Sequence, residues 1–281
     1  MSGVAPARAR LELWLPAALI GLFVVIAVAA PLLAPYDPTT QNLLGRLKPP
    51  GTVARGFHYV LGSDELGRDV VSRLIYGARV SLGVAFASVL LSGVVGVLLG
   101  MLSGYLRGVT EIAVMRLVDI FLSIPAILLA IITVAVVGPG LINVVLVLAL
   151  TRWPRYARVA YGQTLTISGM PYIRLATFMG ASAGRILIRH VLPNIMGAVT
   201  VVATLEFGLM VLFEAGLSFL GLGVQPPTPS WGSMLSTGRN YLATDWWLAT
   251  LPGLCLFLLV LAVNLVGDGL RDRFDPRQTD H

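Results

Sequence analysis

The chain has 281 residues, a formal net charge of +6, 56% apolar residues and 12% charged ones, with a mean hydropathy of +0.83. Soluble domains carry about 25% charged residues, so a water-soluble globule is excluded, and so is a disordered chain. A single cysteine, Cys255, leaves no disulfide framework and no Cys-rich metal site.

Crossing a hydrocarbon core of about 30 Å takes roughly 20 apolar residues in a helix. The first such run extends from Leu13 to Ala34. Arg8 and Arg10 before it and Ala27-Val28-Ala29 near its end also fit a cleaved signal peptide, but the length of the run favours a retained anchor. Run two, Val80 to Gly104, carries Ser88, Ser92, Gly96, Gly100 and Gly104 at every fourth position. On a helix these form one flat stripe, suited to close packing inside a bundle or to a homodimer seam. Run three, Ile112 to Val137, contains Pro125 after Ser123-Ile124. It predicts a kinked helix, the kink being a packing device or a moving part, with Ser123 re-satisfying a freed carbonyl. Asp119 stands three residues after Arg116, a spacing that pairs them on one helix face.

Gly138-Pro139-Gly140 makes a tight turn into run four, which is strongly apolar from Leu141 only to Leu150 and then meets Arg152, Trp153 and Pro154. Either this helix is short or its inner half faces protein. Run five spans Ile195 to Leu220, and run six, Leu248 to Val266, contains Cys255. Between them, Pro226, Pro227 and Pro229 discourage a helix, while Tyr241, Trp246 and Trp247 suit an interfacial belt. The segment Val224 to Trp247 is therefore predicted to lie on the outer membrane surface.

The chain reads as an all-α polytopic membrane protein with six transmembrane helices. Residues 1–79 hold the N-terminal tail, first transmembrane helix and outer loop; residues 80–281 hold five more helices and a cytoplasmic loop over about 168–194. The basic residues, 19 Arg and one Lys, orient it. With the N-terminus inside, thirteen are cytoplasmic: Arg8, Arg10, Arg107, Arg116, Arg152, Arg155, Arg158, Arg174, Arg185, Arg189, Arg271, Arg273 and Arg277. Seven are outside: Arg46, Lys48, Arg55, Arg68, Arg73, Arg79 and Arg239. The bias favours N-in and C-in, with the outer loop from Pro35 to Arg79, close to Asp64, Glu65 and Asp69, as the weak point. Such patches orient a membrane protein and do not read as a nucleic-acid surface.

Ionisable groups inside a bilayer are costly and mark candidate sites. Glu206 and Glu214 lie eight residues apart in run five and are the candidates for a substrate pathway. Glu206 is deep, with a hydrogen-bonded structural acid as the equal alternative; Glu214 lies near the outer end, half-solvated. Asn143 and Asn264 are expected to bond to neighbouring helices.

The segment from Ser168 to Asn194 is of another kind. Pro171 suits a helix start, and Tyr172, Leu175, Ala176 and Met179 then fall on one face. Gly180 interrupts, where a positive φ is cheap. A second helical stretch carries Arg185 and Arg189 one turn apart, with Ile186, Leu187 and Val191 as apolar cover, and Pro193 ends it. Two short amphipathic helices outside the membrane need a cover, either the lipid surface or, on the stronger reading, a protein on the cytoplasmic side.

Here the residues resemble a known family. Gly180, nine residues, then His190-Val191-Leu192-Pro193 is similar to the cytoplasmic EAA loop of ABC importer permeases, whose pattern is E-A-A, three residues, Gly, nine residues, I-x-L-P. Arg174-Leu175-Ala176 stands at the first triplet, so the acid and first alanine are absent, and His190 replaces the isoleucine. Other segments resemble the C-type permease of dipeptide, oligopeptide and nickel importers. They are Pro31 to Asp37, Leu61 to Val70, Ser72 to Arg79, Leu217 to Gly223, Pro226 to Gly232, Gly267 to Arg271 and Asp275 to Arg277, in order along almost the whole chain.

The resemblance implies a type I importer permease fold in a bacterial or archaeal cytoplasmic (inner) membrane. It implies a second homologous permease, two ATPase subunits or domains that bind the ATP and Mg, and an extracytoplasmic solute-binding protein. It also implies that the helix from Tyr172 to Met179 docks in an ATPase groove, with Arg174, Leu175, Ala176, Gly180, Arg185, His190 and Pro193 in the coupling loop. The solute stays open among dipeptides, oligopeptides, nickel and others.

The chain's own chemistry is not enzymatic. The sole lysine, Lys48, precedes Pro49, so there is no P-loop. His58, His190 and His281 are scattered, with no His-Glu-x-x-His, so no metal site, catalytic residue or bound cofactor is expected. An ion-coupled secondary carrier is the competing class, but such carriers show related halves and no internal repeat is visible here.

Overall fold

The computed structural model describes residues 5–54 and 56–274. Arg55 and the C-terminal residues Asp275 to Arg277 and His281 fall outside the described residues. Helix α1 (Ala5–Val28) is followed by the single turn α2 (Ala30–Leu33) and an outer loop containing a small antiparallel hairpin, β1 (Thr52–Ala54) with β2 (Phe57–Tyr59). Next come α3 (Val70–Leu106), α4 (Gly108–Ser123), α5 (Ala126–Val137) and α6 (Leu141–Ser168). The cytoplasmic-loop helices are α7 (Pro171–Phe178) and α8 (Ala183–Ile186); α9 (Leu192–Phe219), α10 (Trp231–Gly238) and α11 (Trp247–Phe274) complete the chain.

Three segments are long and apolar enough to cross a membrane outright: Val70–Leu106, Ala183–Phe219 and Trp247–Asp272. Helices α4 and α5 are apolar enough only when taken together, as a broken span or a re-entrant loop. The apolar part of α1, Leu13–Val28, is shorter, and α6 is diluted by three arginines. All six apolar runs thus fall on helices.

The bundle is organised around α3. Its 37 residues make about 55 Å of helix, so its outer turns project beyond a hydrocarbon core of about 30 Å. Asp69 caps it, accepting from the Ser72 N–H and hydroxyl at 2.8 Å; burial pushes this carboxyl above the usual aspartate range despite those bonds. The division drawn at residue 79 therefore falls inside one helix. The Ser/Gly stripe of α3 packs against α6 and not on a homodimer seam. A Cβ on Gly96 would lie 2.6 Å from the Tyr156 Cβ, and one on Gly100 would lie 2.8 Å from the Ala160 Cβ. The two backbones touch because glycine leaves nothing between them.

The outer loop is folded. Tyr59 is buried, its hydroxyl donating to the Gly67 carbonyl and accepting from Asn42, both at 3.0 Å. Arg68 bridges Asp64 at 2.6 Å and Glu65 at 2.8 Å, and Arg73 lies 3.3 Å from Asp64. These pairs neutralise Arg68 and Arg73, two of the six basic residues that make this loop the weak point of the orientation.

Several expectations are corrected. The kink at Pro125 is a 93° break between α4 and α5, because Ile124, held extended before proline, leaves the helix altogether. Ser123 bonds the Ile120 carbonyl at 2.8 Å, not that of Phe121, which the missing Pro125 N–H leaves free. Pro193 does not end a helix: Ala183–Phe219 is continuous. A wide π turn at Leu187–Val191, closed by the Leu192 N–H on the Leu187 carbonyl, makes room for the ring and asks nothing of its missing N–H. Run four is one long helix with a buried inner half. Arg152, Arg155 and Arg158 are therefore inside α6 and not in a cytoplasmic loop. Asp119 pairs with Arg158 of α6 instead of Arg116, since the packing of α4 on α6 supplies a tertiary partner. Asn143 donates to the Gly138 carbonyl at the end of α5, 3.1 Å away; Asn264 sits over Gly208 with no hydrogen bond among the described residues. Between Val224 and Trp247 the proline stretch is non-helical. Beyond it, Ser230 opens α10 with a capping box, and α10 packs between α9 and α11. Trp231 is buried there, its indole donating to the Leu74 carbonyl at 3.0 Å.

Candidate functional site

Two places in the bundle hold unusual chemistry: the cytoplasmic loop and the charged middle of α6 and α9. In the loop, Pro171 occupies the first turn of α7 as its fixed φ allows. Ile173, 2% exposed, anchors α7 on a core made by Tyr156, Ile167, Ile186, Leu187 and Val191. The opposite face is open. Tyr172 and Leu175 are exposed, and at the C-terminal end Phe178 is 90% and Met179 78% exposed. Ala176 is half-buried between the two faces.

Gly180 has a φ of +86° and nothing within 4 Å of a Cβ position. It makes the bend between α7 and α8 that its spacing predicts. Arg185 and Arg189 project outward. His190 is half-buried, its ring edge-on to Tyr172 at 6.3 Å between centroids, which ties the two limbs of the loop together. Pro193 is exposed at the start of α9. Beside α7 lies an open cavity of about 440 Å³ lined by Tyr105, Arg107, Ser168, Ile173, Arg174 and Phe178.

The two glutamates of α9 meet different partners. Glu206, buried, receives the Arg155 Nη1 at 3.0 Å on Oε1, while the Arg152 Nη1 stands 3.6 Å from Oε2, an ion pair without a hydrogen bond. Arg152 is itself buried, its guanidinium carbon 4.1 Å from the centroid of the Phe213 ring. Arg155 is 54% exposed at the side chain, and the neighbouring Arg158–Asp119 pair is about equally open. Glu214 is fully buried and not half-solvated. Its carboxylate accepts from the Ser81 hydroxyl of α3 at 2.8 Å and the Ser218 hydroxyl at 2.7 Å. Those hydroxyls in turn accept from the Trp231 and Val224 backbone N–H groups at 3.4 and 3.1 Å. Glu214 thus ties α3, α9 and the entry to α10 together inside the subunit.

The sequence places both acids in run five but does not name their partners. Counting Arg152 and Arg155 as cytoplasmic hides them from Glu206; the structure bears out the alternative in which the inner half of run four faces protein. The serines around Glu214 carry no signal. The spacing of three between Arg152 and Arg155, with Arg158 a further three on, is the signal that a continuing helix face would have given. Among the described residues no group of three or more His, Cys, Asp or Glu could hold a metal ion.

A bundle of broken and continuous apolar helices with an exposed cytoplasmic elbow is a membrane-permease architecture, and sequence comparison gives the family. A family model described as the binding-protein-dependent transport system inner membrane component matches residues 96–280, and one for the N-terminal transmembrane domain of oligopeptide transport permease C matches residues 16–50. The chain belongs to this family of binding-protein-dependent transport permeases. It is 46% identical over 257 residues to the di/tripeptide transport system permease protein DppC of Pseudomonas aeruginosa, covering 91% of this chain and 85% of that protein. Identity is 42% to the dipeptide transport system permease protein DppC of Haemophilus influenzae, covering 92% of this chain and 90% of that one. It is also 42% to the glutathione transport system permease protein GsiD of Pectobacterium atrosepticum, covering 92% and 85%. Among solved structures, an inward-facing conformation of the MetNI methionine ABC transporter superposes with a TM-score of 0.57 at 24% identity. That match covers 73% of this chain and 98% of the other and establishes the fold.

Proposed function

We propose that this permease forms half of the translocation pathway of an ATP-driven peptide importer, oriented N-in and C-in, for di- or oligopeptides. A second homologous permease supplies the other half, two ATPase subunits or domains hydrolyse ATP, and an extracytoplasmic binding protein delivers the solute. The chain itself holds no cofactor in this scheme. The peptide assignment rests on the relatives named for di- and tripeptide, dipeptide and glutathione transport.

The observation that carries the coupling role is the elbow at Gly180. A helix whose one buried residue is Ile173 projects from the bundle, and its last residues, Phe178 and Met179, are almost bare. Such an exposed end needs a partner, and an ATPase groove fits it. Arg174 and Arg107 at the rim of the neighbouring cavity would meet an acid of that partner in place of the glutamate that the EAA pattern carries. ATP-driven closure of the ATPases then moves paired elbows together, and the bundles rock between outward- and inward-open states.

The test compares two glycines with equivalent backbone demands. Gly180 and Gly138 have φ of +86° and +95°, and neither would meet a neighbour through a Cβ, so valine imposes a similar strain of roughly 1–3 kcal/mol at each. Gly180→Val is expected to reduce ATPase co-purification or uncouple hydrolysis from peptide uptake, while Gly138→Val, in the turn before α6, preserves both. Normal assembly and uptake in Gly180→Val would remove the coupling role.

A further inference from the structure

The charges around Glu206 do not balance. Two guanidiniums, Arg152 and Arg155, share its one carboxylate, and among the described residues no second acid reaches either. The trio carries one surplus positive charge. The Arg158–Asp119 pair beside it is neutral and adds nothing to offset it. Arg152 and Glu206 are enclosed, their side chains 4% and 2% exposed, so the surplus reaches the surface only through Arg155.

Arg155 is also deep. It lies 14 residues from Leu141 and 13 from Ser168 in a 28-residue helix, roughly 20 Å from either end, hence close to the middle of a hydrocarbon core of about 30 Å. A guanidinium at that depth facing lipid is strongly unfavourable, and such groups face protein or a water-filled space. This one is open on its outer side. The same face of α6 continues inward through Arg158, Gly162 and Thr166, all exposed, whereas the exposed residues of its outer half, Ile142, Leu146 and Leu150, lie on the opposite side of the helix.

A guanidinium has five N–H donors in a planar fork that matches a carboxylate, and Glu206 uses one nitrogen of Arg155. We propose that Arg155 is a carboxylate-binding residue of the translocation pathway, receiving the C-terminal carboxylate of a peptide in transit. Glu206 and Arg152 are its positioning residues: the carboxylate fixes the guanidinium, and Arg152 keeps Glu206 from neutralising it. The inference rests on the peptide-importer reading above and adds where along the pathway the anionic end of the solute is met.

The test uses the complete transporter in proteoliposomes, with its binding protein and dialanine as the solute. Replacing Arg155 by glutamine is expected to lower initial uptake by about tenfold or more, the loss of one charge-assisted contact. Assembly is checked by co-purification of the ATPases, and uptake is compared per assembled complex. Arg155→Lys, which keeps the charge and loses the fork, is expected to fall between the two. Wild-type uptake by Arg155→Gln overturns the proposal. So does loss of the second permease from the purified Arg155→Gln complex, which would assign the surplus charge to an acid of that subunit. A wild-type transporter that takes up neither dialanine nor longer peptides defeats the peptide reading itself, and the carboxylate ligand with it. Uptake by wild type with no effect of Arg155→Gln defeats only the residue assignment.

Discussion

Glu206 and Glu214 sit on one helix, both out of contact with solvent, and are solvated in opposite ways. Glu206 is answered by two cations, one buried and one open to the outside; Glu214 is answered by two serine hydroxyls whose own oxygens are filled by backbone N–H groups. A buried charge held by cations commits its surroundings to remaining charged, because removing either member strands the other. A carboxyl held by neutral hydroxyls makes no such charge demand: an amide of the same shape keeps one of its two accepting oxygens and loses only the other contact. The first arrangement leaves charge at an open face and the second closes a helix junction. Burial alone does not separate a site from a staple; the partners do.

That contrast can be broken by substitution. Glu206→Ala should have the largest effect, about 3–5 kcal/mol, because it leaves Arg152 buried and unpaired; the transporter should lose thermal stability in detergent and fail to accumulate. The double change Arg152→Met with Glu206→Leu should recover most of that loss, as replacement of whole buried ion pairs by apolar groups commonly does, while peptide uptake stays impaired. Glu214→Leu comes next, at about 1–3 kcal/mol, since two buried hydroxyls lose their acceptor. Glu214→Gln should cost only about 1 kcal/mol, and melting curves of the two Glu214 variants should separate accordingly. Arg158→Gln is expected to be smallest, below about 1 kcal/mol, because its pair with Asp119 is half-exposed. A Glu206→Ala protein as stable as Glu214→Gln would erase the distinction.

Much of the fold is legible before any coordinates. The six apolar runs fall on helices, the Ser/Gly stripe of α3 meets α6, and the bend at Gly180 has the positive φ its position predicts. These features depend on local sequence: run length, four-residue spacing, and a residue without a Cβ. What is lost depends on the neighbours. Arg152 and Arg155 interrupt an apolar run, and only the packing of α6 against α9 shows that they are helix residues paired with Glu206, Arg152 buried and Arg155 open on its outer side. Pro193 reads as a stop because the π turn that accommodates it has no sequence signature. Helix α10 hides behind a proline cluster that governs only the residues before it. Ile173 is invisible as the anchor of α7 because the apolar residues around it, Tyr172 and Leu175, are the exposed ones.

The central claim, that the Glu206 trio opens onto water at mid-membrane while the Glu214 junction is closed, has a direct measurement. With Cys255 replaced by serine, single cysteines are introduced as Arg155→Cys and Ser218→Cys, and the assembled, nucleotide-free transporter is treated with a charged, membrane-impermeant thiol reagent from its cytoplasmic side. The account predicts rapid modification at position 155 and none at position 218 over the same interval. Equal protection at both positions, or faster reaction at 218, would contradict it.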